Sequence, residues 1–591
     1  MCGIIGVIGT QGDAPKLVID GLRSLEYRGY DSWGIAYDRH RKTNVERAIG
    51  KLDESAEALT TISATVTKRA IGHTRWATHG SRSEANAHPH RSCDGKLIVV
   101  HNGIIENYQA LKAELADHAF RSETDTEVLA HLIEAARPEH DTLADAVRAA
   151  LKRIHGSYAV VVMEEGGEEL IGARRGSPLV VGLGADRIFL ASDVPAFLAH
   201  TRRVIYLDDG QLVVARPAGV VLASLLSGDP IQPTISTIDW DAAQVQKGPF
   251  AHFMVKEIHE QPATIRAAVA HPAERIAEIA EQIQSAYGTF FVACGSAYHA
   301  GLTGTYLFSQ LAGKHVNITV ASEFPSYRDF LTDRTLLIPI SQSGETADTL
   351  EAVRAAKRKG SRVLAVVNVQ GSTLVREADD AILTQAGPEI CVLATKSFTG
   401  QVALITLLAH AVDGRADEGR TLVEHAAGAV ETFLSGQAPK QIKQLASEIA
   451  SRDHLYTIGR GLNYPTALEA ALKIKEVSYV HAEGFAGGEL KHGPIALIDD
   501  GTPVLVFVAN DETKPEILSN AMELRSRGAR IIGVSPEPNE IFHDWITVAD
   551  LPGAMPMLGA IPAQLLAYEL AVARGTDPDK PRNLAKSVTV K

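Results

Sequence analysis

The pattern of hydrophobic and polar residues divides the chain into two parts of different character. Up to about residue 240, short β-branched runs between glycines and charged turns predict strands at LIVVHNG, SYAVVVMEE, LIGARRG, LVVGLG and RIFLASD. Between them, TDTEVLAHLIEAA and TLADAVRAALKRI have the spacing of amphipathic helices. The segment VIYLDDGQLVVA predicts a hairpin with Asp-Gly at its turn. Residues 1–240 are therefore expected to form an antiparallel sheet-and-helix domain.

From about residue 250, strands alternate with helices, which is typical of parallel sheets covered by helices. This part also contains an internal repeat. DTLEAVRAAKRKGSRVLAVVN aligns with PEILSNAMELRSRGARIIGVS, and FFVACGSAYHAG aligns with LYTIGRGLNYPTA. We expect two duplicated α/β units over 280–420 and 445–575, preceded by a linker over 241–279 and followed by a C-terminal tail over 576–591.

Composition narrows the possible partners and location. The chain has 591 residues, 45% of them hydrophobic, and a net charge of −13, which argues against binding to a nucleic-acid backbone. Its four cysteines, Cys2, Cys93, Cys294 and Cys391, have neither metal-ligand spacing nor a disulfide framework. No apolar run is expected to reach the roughly 18 residues needed to span a membrane, and the N-terminus lacks the basic region of a signal peptide. These features predict a cytoplasmic protein that binds neither membrane nor nucleic acid.

The N-terminus, MCGIIGVIG, has two interpretations. It is either a hydrophobic strand that happens to contain a cysteine, or a segment in which Cys2 becomes the N-terminal residue and acts as a nucleophile. The residues of this segment alone leave both interpretations open.

The segment ISQSGETADTL predicts an anion site between a strand and a helix. Several polar side chains here lie beside the free N–H groups of a predicted helix start, an arrangement that binds phosphate. They are those of Ser341, Gln342, Ser343 and Thr346. A simple helix cap needs only one hydroxyl. ACGSAYHAG is a similar strand-to-helix turn in the same unit.

A second group of ionisable residues lies on one predicted helix and in the glycine-rich segment after it. Glu469, Lys473 and Glu476 share one helix face, which is typical either of a solvated salt-bridge face or of a site. His492 follows in ELKHGP, and a carboxylate and a histidine near phosphate suit an aldose–ketose proton shuttle. Lys586, in the C-terminal tail, is either solvated or able to form a Schiff base.

The first domain has a dense set of polar residues in GHTRWATHGSRSEANAHPH and HNGIIENY. Asn102 and Gly103 can supply the side-chain and backbone donors of an oxyanion hole. The pair His88 and His90 suggests a metal, but no further ligand stands at the required spacing, so we predict no metal. No organic cofactor is predicted either.

The combination and order of the motifs resemble one enzyme family over essentially the full chain. Together they are similar to the glutamine–fructose-6-phosphate aminotransferases (isomerizing), or glucosamine-6-phosphate synthases. The fold that this resemblance implies is an N-terminal-nucleophile (Ntn) glutaminase domain, an α+β αββα sandwich, followed by two α/β sugar-isomerase (SIS) domains with parallel sheets. The motifs are MCGIIGVIG, LEYRGYDSWGIA, GHTRWATHG, HNGIIENY, ETDTEVLAHL, SQSGETADTL, ATKSFT, ELKHGP and NLAKSVTV.

For the first domain, the resemblance implies glutamine hydrolysis at an N-terminal thiol. Once the initiator methionine is removed, Cys2 attacks the amide with its own α-amine as base, while Asn102 and Gly103 stabilise the oxyanion. Arg75 holds the α-carboxylate of glutamine and Asp125 its α-amine. Three further residues line the site or gate the passage of ammonia: Trp76, Thr78 and His79.

For the second half, the resemblance implies that ammonia passes through an internal channel to fructose 6-phosphate, giving glucosamine 6-phosphate and glutamate, the first step of hexosamine and UDP-N-acetylglucosamine synthesis. Lys586 forms a Schiff base, Glu476 moves a proton between C1 and C2, and His492 assists ring opening from a neighbouring subunit, so that a homodimer or higher homo-oligomer is expected. The implied sugar-phosphate site comprises Cys294, Gly295, Ser296, Ser341, Gln342, Ser343, Thr346, Val392, Glu469 and Lys473.

Three positions depart from the family pattern. Ala297 replaces a hydroxyl residue of the phosphate loop and Ala394 a serine, and both changes are expected to affect sugar preference. Trp33 is bulky where a small residue is usual, and we expect it to reshape the glutaminase surface. Two alternatives stay open: a paralogous amidotransferase acting on a different sugar phosphate, and a C-terminal half that only senses a sugar phosphate.

Overall fold

A computed structural model describes residues 2–39 and 42–589. Met1, whose removal is expected, and the last two residues of the tail lie outside the described residues. The described chain divides into two units: residues up to 246 with 345–347 and 585–589, and residues 247–344 with 348–584.

The first unit contains two antiparallel sheets with helices on their outer faces. The eight-stranded sheet has the order β15-β11-β9-β10-β1-β4-β2-β3 and the seven-stranded sheet the order β14-β13-β12-β8-β7-β6-β5. The strands are β1 Gly3–Gly9, β2 Ser32–Arg39, β3 Lys42–Ile49, β4 Arg69–Arg75, β5 His90–Arg91, β6 Leu97–Ile105, β7 Gly156–Glu164, β8 Leu170–Arg175, β9 Val180–Leu183, β10 Arg187–Ala191, β11 Arg203–Tyr206, β12 Gln211–Arg216, β13 Gly219–Ser224, β14 Pro230–Ile231 and β15 Ser236–Thr237. The helices are α1 Ala14–Leu25, α2 Ala56–Ser63, α3 Tyr108–Glu114, α4 Glu127–Ala136 and α5 Leu143–Lys152.

Three apolar layers hold this unit together. The inner faces of the two sheets meet through residues such as Ile4 and Ile71 on one sheet and Val100 and Val161 on the other. The helices α1 and α2 cover the outer face of the eight-stranded sheet, and α3 to α5 cover that of the seven-stranded sheet. The arrangement is an αββα sandwich, which agrees with the antiparallel sheet-and-helix domain predicted from the sequence pattern and with the fold that the resemblance implies.

The predicted hairpin over residues 204–215 is wrong. Strand β11 pairs with β9 and β15 in one sheet, whereas β12 pairs with β8 and β13 in the other. The Asp-Gly turn therefore carries the chain between two facing sheets. A hairpin within one sheet and a crossing between two sheets have the same alternation and the same turn residues, so the local pattern could not distinguish them.

The second unit contains two parallel five-stranded sheets of equivalent topology, β17-β16-β18-β19-β20 and β22-β21-β23-β24-β25. The strands are β16 Gly288–Ala293, β17 Asn317–Val320, β18 Thr335–Ser341, β19 Arg362–Val367, β20 Asp380–Leu383, β21 His454–Gly459, β22 His481–Ala486, β23 Pro503–Phe507, β24 Arg530–Ser535 and β25 Asp544–Thr547. The helices are α6 Phe253–Ala268, α7 Ala273–Ser285, α8 Gly295–Ala312, α9 Ala347–Arg358, α10 Thr373–Glu377, α11 Lys396–Val412, α12 Ala416–Ser435, α13 Ala438–Ile449, α14 Asn463–Ser478, α15 Lys514–Arg525 and α16 Met555–Ala573.

The duplicated α/β architecture predicted from the repeat is confirmed by these two sheets. In each, the first strand, β16 or β21, lies between its two neighbours, and in such a topology ligands bind at the carboxyl ends of the central strands. Residues 253–268 of the predicted linker form α6, whose apolar residues join the core of the second unit.

One described helix is apolar and long enough to cross a membrane by composition, contrary to the sequence-based expectation. It spans Pro552–Ala573. An 18-residue stretch of it has a mean hydropathy of 1.3, and 89% of that stretch is buried inside the protein. Helices α13 and α14 pack against it. Its apolar character thus suits a core helix.

Candidate functional site

Cys2 lies at the start of β1, beside the end of β4. Its Sγ accepts a hydrogen bond from the backbone N–H of Trp76 over 3.2 Å. Its carbonyl oxygen accepts one from Asn102 Nδ2 over 2.8 Å and one from Arg28 Nε over 3.2 Å. Burial raises the pKa of the Cys2 thiol, although the Trp76 N–H and Arg75 oppose this. The thiol therefore needs a base before it can act as a nucleophile.

Asn102 and Gly103 lie on β6, in the facing sheet. Gly103 has a φ of 137°, and a Cβ at this position would lie 2.0 Å from the carbonyl oxygen of Ser157. The backbone here therefore requires glycine. His73 Nε2 lies 3.1 Å from Asn102 Oδ1. A proton on that nitrogen fixes the amide with its NH₂ group toward Cys2, as an oxyanion donor requires.

Acidification is expected to destabilise the protein through His73. Burial lowers the pKa of His73 to about 3, against an ordinary value of 6.5. Below pH 6.5 the unfolded chain takes up a proton that the folded state excludes, so stability falls as the pH falls toward 3. Between pH 7 and pH 5 this one group lowers the free energy of unfolding by about 2 kcal/mol.

Urea denaturation at the two pH values, followed by tryptophan fluorescence, measures this change, since Trp33, Trp76 and Trp240 lie in the first unit. In His73→Asn, the difference in unfolding free energy between pH 7 and pH 5 should be smaller than in the wild type by about 2 kcal/mol. The exposed His155, replaced by glutamine, serves as control. An unchanged pH dependence in His73→Asn would show that His73 does not titrate as argued.

The residues implied in glutamine binding surround the ends of β4 and β6. The guanidinium of Arg75 donates to the carbonyl oxygens of His79, Gly80 and Ser81 and so holds the loop after β4. Asp125 is buried and its Oδ2 accepts from the backbone N–H of Ile105 over 2.7 Å.

The aromatic residues of the same loop contact neighbouring rings. Trp76 packs edge-on against Tyr30 with ring centroids 5.7 Å apart, and His79 against Tyr108 at 5.8 Å. Thr78 Oγ1 lies 3.4 Å from His79 Nδ1. The loop is thus braced at both ends, while its middle stays partly exposed.

The expectation that Trp33 reshapes the surface is wrong. Trp33 is 2% exposed and lies in the apolar layer between the eight-stranded sheet and its helices. It occupies β2, between Ala48 of β3 and Thr74 of β4. The larger ring therefore fills core volume.

In the second unit, the predicted anion loop follows β18. Ser341 is buried and its Oγ accepts from the backbone N–H of Gly344 over 3.0 Å. Gly344 has a φ of 68°, and a Cβ there would lie 2.1 Å from Ser372 Oγ. Gln342 and Ser343 lie within this tight turn and are half-buried. Such a turn before a helix start is suited to bind phosphate oxygens.

The equivalent turn after β16 begins α8. Cys294 occupies the N-cap position and Gly295 has a φ of 55°. Burial raises the pKa of the Cys294 thiol, only partly opposed by a hydrogen bond with Thr349. Ser296 Oγ accepts a hydrogen bond from Lys473 Nζ over 2.9 Å. Since Lys473 belongs to α14, this bond joins the two α/β domains at the candidate site.

The predicted helix face on α14 is buried, so its interpretation as a solvated salt-bridge face is wrong. Glu469 and Lys473 each have 1% side-chain exposure, against 21% for Glu476. Lys473 Nζ lies 2.7 Å from Glu476 Oε2 and 3.5 Å from Glu469 Oε1. His299 Nδ1 lies 2.8 Å from Glu469 Oε2, a contact that the sequence did not predict.

The charges of this group stabilise one another. Burial opposes the charged form of Lys473, but Glu469 and Glu476 outweigh it and raise its pKa. Burial likewise opposes the charged form of Glu469, but Lys473 and His299 lower its pKa. Lys473 therefore stays a cation, with a carboxylate on either side of it.

Removal of this cation is expected to destabilise the second unit. Lys473→Met leaves Glu469 buried without its main counter-charge, which costs about 3–5 kcal/mol of unfolding free energy. Urea denaturation followed by helical circular dichroism measures the change. The double variant Lys473→Met/Glu469→Gln should recover most of the loss, whereas Lys475→Met, exposed on the same helix, should change stability by less than about 0.5 kcal/mol. A Lys473→Met protein as stable as Lys475→Met would contradict the assigned charge pairing.

Val392 lies in a loop that the sequence motifs only partly covered. Its backbone N–H donates to the carbonyl oxygen of Asp579 over 3.1 Å. The buried carboxylate of Glu389 accepts from the backbone N–H groups of Thr395 and Ser397 over 2.9 and 3.0 Å. Glu389 therefore fixes the turn that contains Ala394. A carboxylate shortly before a run of hydroxyl residues at a helix start was the signal available in the sequence.

The remaining predicted residues are not part of the described cluster around Lys473. His492 is exposed at the end of a 3₁₀ segment, Gly487–His492. Thr346 and Lys586 belong to segments that group with the first unit. In that unit, the backbone N–H of Ala347 donates to the carbonyl oxygen of Val588 over 3.0 Å.

Comparison with known proteins gives matches to both parts of the chain. The model of the glutamine amidotransferase domain matches residues 73–199, and that of the SIS domain matches 282–411 and 448–574. A glutamine–fructose-6-phosphate aminotransferase [isomerizing] of Symbiobacterium thermophilum is 46% identical, and one of Thermococcus kodakarensis 44%, each over 100% of both chains. A solved C-terminal domain of glucosamine-fructose-6-phosphate aminotransferase from Francisella tularensis is 34% identical with a TM-score of 0.53, covering 56% of this chain and 99% of that one.

Proposed function

The chain belongs to the family of glutamine–fructose-6-phosphate aminotransferases (isomerizing), and from this we propose the reaction it catalyses. The amide nitrogen of glutamine is transferred to fructose 6-phosphate, and the ketose becomes an aldose, giving glucosamine 6-phosphate and glutamate. Relatives that match over their full length carry the name of this activity. The assignment of each step to a residue below is part of the proposal.

Glutamine hydrolysis takes place in the first unit. The thiol of Cys2 loses its proton to its own α-amine, adds to the amide carbon and expels ammonia, leaving a thioester that water hydrolyses to glutamate. Asn102 Nδ2 and the Gly103 N–H donate to the oxyanion. Arg75 binds the α-carboxylate and Asp125 the α-amine of the substrate. The hydrogen bond from Asn102 Nδ2 to the carbonyl oxygen of Cys2 supports this assignment, because it places the amide donor at the nucleophilic residue.

Sugar conversion takes place in the second unit with the help of the C-terminal tail. The phosphate binds to the hydroxyl loop after β18, Lys586 forms a Schiff base with the open-chain ketose, and ammonia replaces the lysine. Glu476 then moves a proton from C1 to C2. Ammonia must reach this site without solvation or protonation, which would remove its nucleophilicity, so we propose an enclosed passage.

The exposed position of His492 is consistent with a role in another subunit's site. We propose that the enzyme is a homodimer or higher oligomer, located in the cytoplasm, in which His492 assists ring opening in the neighbouring protomer. Size measurement in solution by light scattering tests the oligomeric state.

One observation carries the sugar half of this proposal: the group of Ser296, Glu469, Lys473 and the half-buried Glu476, which joins the two α/β domains. A C-terminal half that only senses a sugar phosphate would not require a carboxylate held by a buried ammonium, as Glu476 is held by Lys473. This pair therefore favours an enzyme over a sensor.

Incubation of the purified protein with glutamine and fructose 6-phosphate, analysed by mass spectrometry, tests the proposal. We expect glutamate and glucosamine 6-phosphate in a ratio near one to one, and no amino sugar when either substrate is left out. Glutamate without amino sugar would overturn fructose 6-phosphate as the acceptor. Other sugar phosphates would then be tested as acceptors, and Ala297 and Ala394 would be the first positions examined for a change in sugar preference.

A further inference from the structure

Four side chains that the proposed reaction does not use converge on one point in the first unit. They are the Sγ of Cys93, the Nδ1 atoms of His118 and His131, and the Oε2 of Glu134, all within 4.8 Å of one another. Cys93 lies in the turn between β5 and β6, His118 follows α3, and the other two lie one turn apart on α4. Three separate segments thus meet here.

The distances between these atoms match the edges of a metal-centred tetrahedron. Cys93 Sγ lies 3.5 Å from His118 Nδ1 and 3.4 Å from His131 Nδ1. The two Nδ1 atoms are 3.3 Å apart, and Glu134 Oε2 lies 3.0 and 3.3 Å from them. Zinc bonds of about 2.3 Å to sulfur and about 2.0–2.1 Å to nitrogen and oxygen give tetrahedral edges of about 3.3–3.6 Å.

Hydrogen bonds alone do not account for this cluster. His118 Nδ1 faces a thiol, a second imidazole nitrogen and a carboxylate oxygen, but it carries at most one proton. One cation at the centre would satisfy all four atoms. A thiolate, a carboxylate and two neutral imidazoles would also balance the charge of a divalent ion.

Backbone N–H groups orient two of the four ligands, and a carboxylate lies near a third. The carboxylate of Glu134 accepts from the backbone N–H groups of Cys93 and Asp94, each over 2.9 Å, and Cys93 Sγ accepts from that of Ala119 over 3.3 Å. Metal binding at Nδ1 of His131 places its proton on Nε2, which is 3.7 Å from Glu127 Oε1. A carboxylate behind a ligating histidine is the usual second partner in zinc proteins.

We propose that Cys93, His118, His131 and Glu134 form a zinc site that ties the β5–β6 turn and the segment after α3 to helix α4. With four protein ligands and no open position, the site is structural. The sequence-based expectation of no metal rested on the wide spacing of the cysteines and on the lack of a further ligand near His88 and His90. The His-x-x-Glu spacing on α4 was the signal that could have pointed to this site, because residues three apart share a helix face.

Metal analysis of the full-length protein tests the proposal. Protein produced with zinc supplementation and passed through dilute chelator should retain one zinc per chain by mass spectrometry, and Cys93→Ala and His118→Ala should retain less than about a tenth of that. His481→Ala is the matched control. His454 and His481 also form a close histidine pair, with their Nδ1 atoms 3.2 Å apart, but they do not belong to the described four-ligand cluster. Zinc content unchanged in Cys93→Ala and His118→Ala would overturn the proposal.

Cobalt substitution keeps the test decisive if the variants do not fold. Wild-type protein loaded with Co²⁺ should show the intense visible bands of a tetrahedral ion and a thiolate-to-cobalt charge-transfer band in the near ultraviolet. In Cys93→Ser the charge-transfer band should disappear. Wild-type protein that binds neither zinc nor cobalt stoichiometrically, or shows only the weak bands of an octahedral ion, would contradict a Cys-containing tetrahedral site.

Discussion

Replacement of Cys2 by alanine should abolish glutamine hydrolysis and glutamine-dependent amino sugar formation, while the isomerisation of fructose 6-phosphate continues. Without the thiol no thioester forms, and the remaining oxyanion donors cannot supply a nucleophile, so we expect a loss of at least about 10⁴-fold. The isomerisation persists because Glu476, the residue assigned to proton transfer, and its partner Lys473 lie in the second unit. The measurements are glutamate, glucosamine 6-phosphate and glucose 6-phosphate released by the same preparation.

A comparison protein with one residue retained before Cys2 separates the roles of the thiol and the α-amine. It keeps the thiol but lacks the free amine that the proposed mechanism uses as base, so glutamine hydrolysis should also fall, while the intact mass identifies the extra residue. If Cys2→Ala loses isomerisation as well, the two activities are not separable. If it still releases glutamate at the wild-type rate, Cys2 is not the nucleophile.

The sequence predicted the fold class well because its signals are local and repeated. The strand–helix alternation and the duplicated segments around Gly360 and Gly528 correspond to two sheets of the same strand order. The same kind of signal failed at residues 204–215, where a hairpin and a crossing between facing sheets have the same alternation and the same turn. Pairing partners are chosen by the tertiary core, which short-range patterns do not encode.

Candidate site residues could be proposed from the sequence where they share one element or one motif, as Glu469, Lys473 and Glu476 do on α14. Residues that complete the sites from elsewhere in the chain were missed. His299 is 170 positions from Glu469, with which it forms a 2.8 Å contact. The convergence of Cys93 with His118 likewise depends on how the β5–β6 turn and the segment after α3 meet. Burial was also unpredictable, since a helix face of alternating charges is usually solvated.

Glu476→Gln should stop sugar conversion while the substrate still binds. The amide oxygen of glutamine can keep the contact that Glu476 Oε2 makes with Lys473 Nζ over 2.7 Å, so the buried charge pair of Lys473 and Glu469 stays intact. The amide cannot accept a proton from C1 of the sugar. Loss of a positioned general base costs about 10²–10⁴-fold in rate, and we expect this loss in kcat with little change in KM for fructose 6-phosphate.

Hydrogen exchange in D₂O distinguishes loss of the base from a structural effect. The wild-type protein should incorporate deuterium at the C2 position of the product and the variant should not, whereas glutamine hydrolysis in the first unit continues. Glu281→Gln, an exposed glutamate of α7, is the matched control and should behave as wild type in both assays. If Glu476→Gln instead converts sugar at the wild-type rate, the proton is moved by another group, and the contact of Glu476 with Lys473 serves to hold that buried cation.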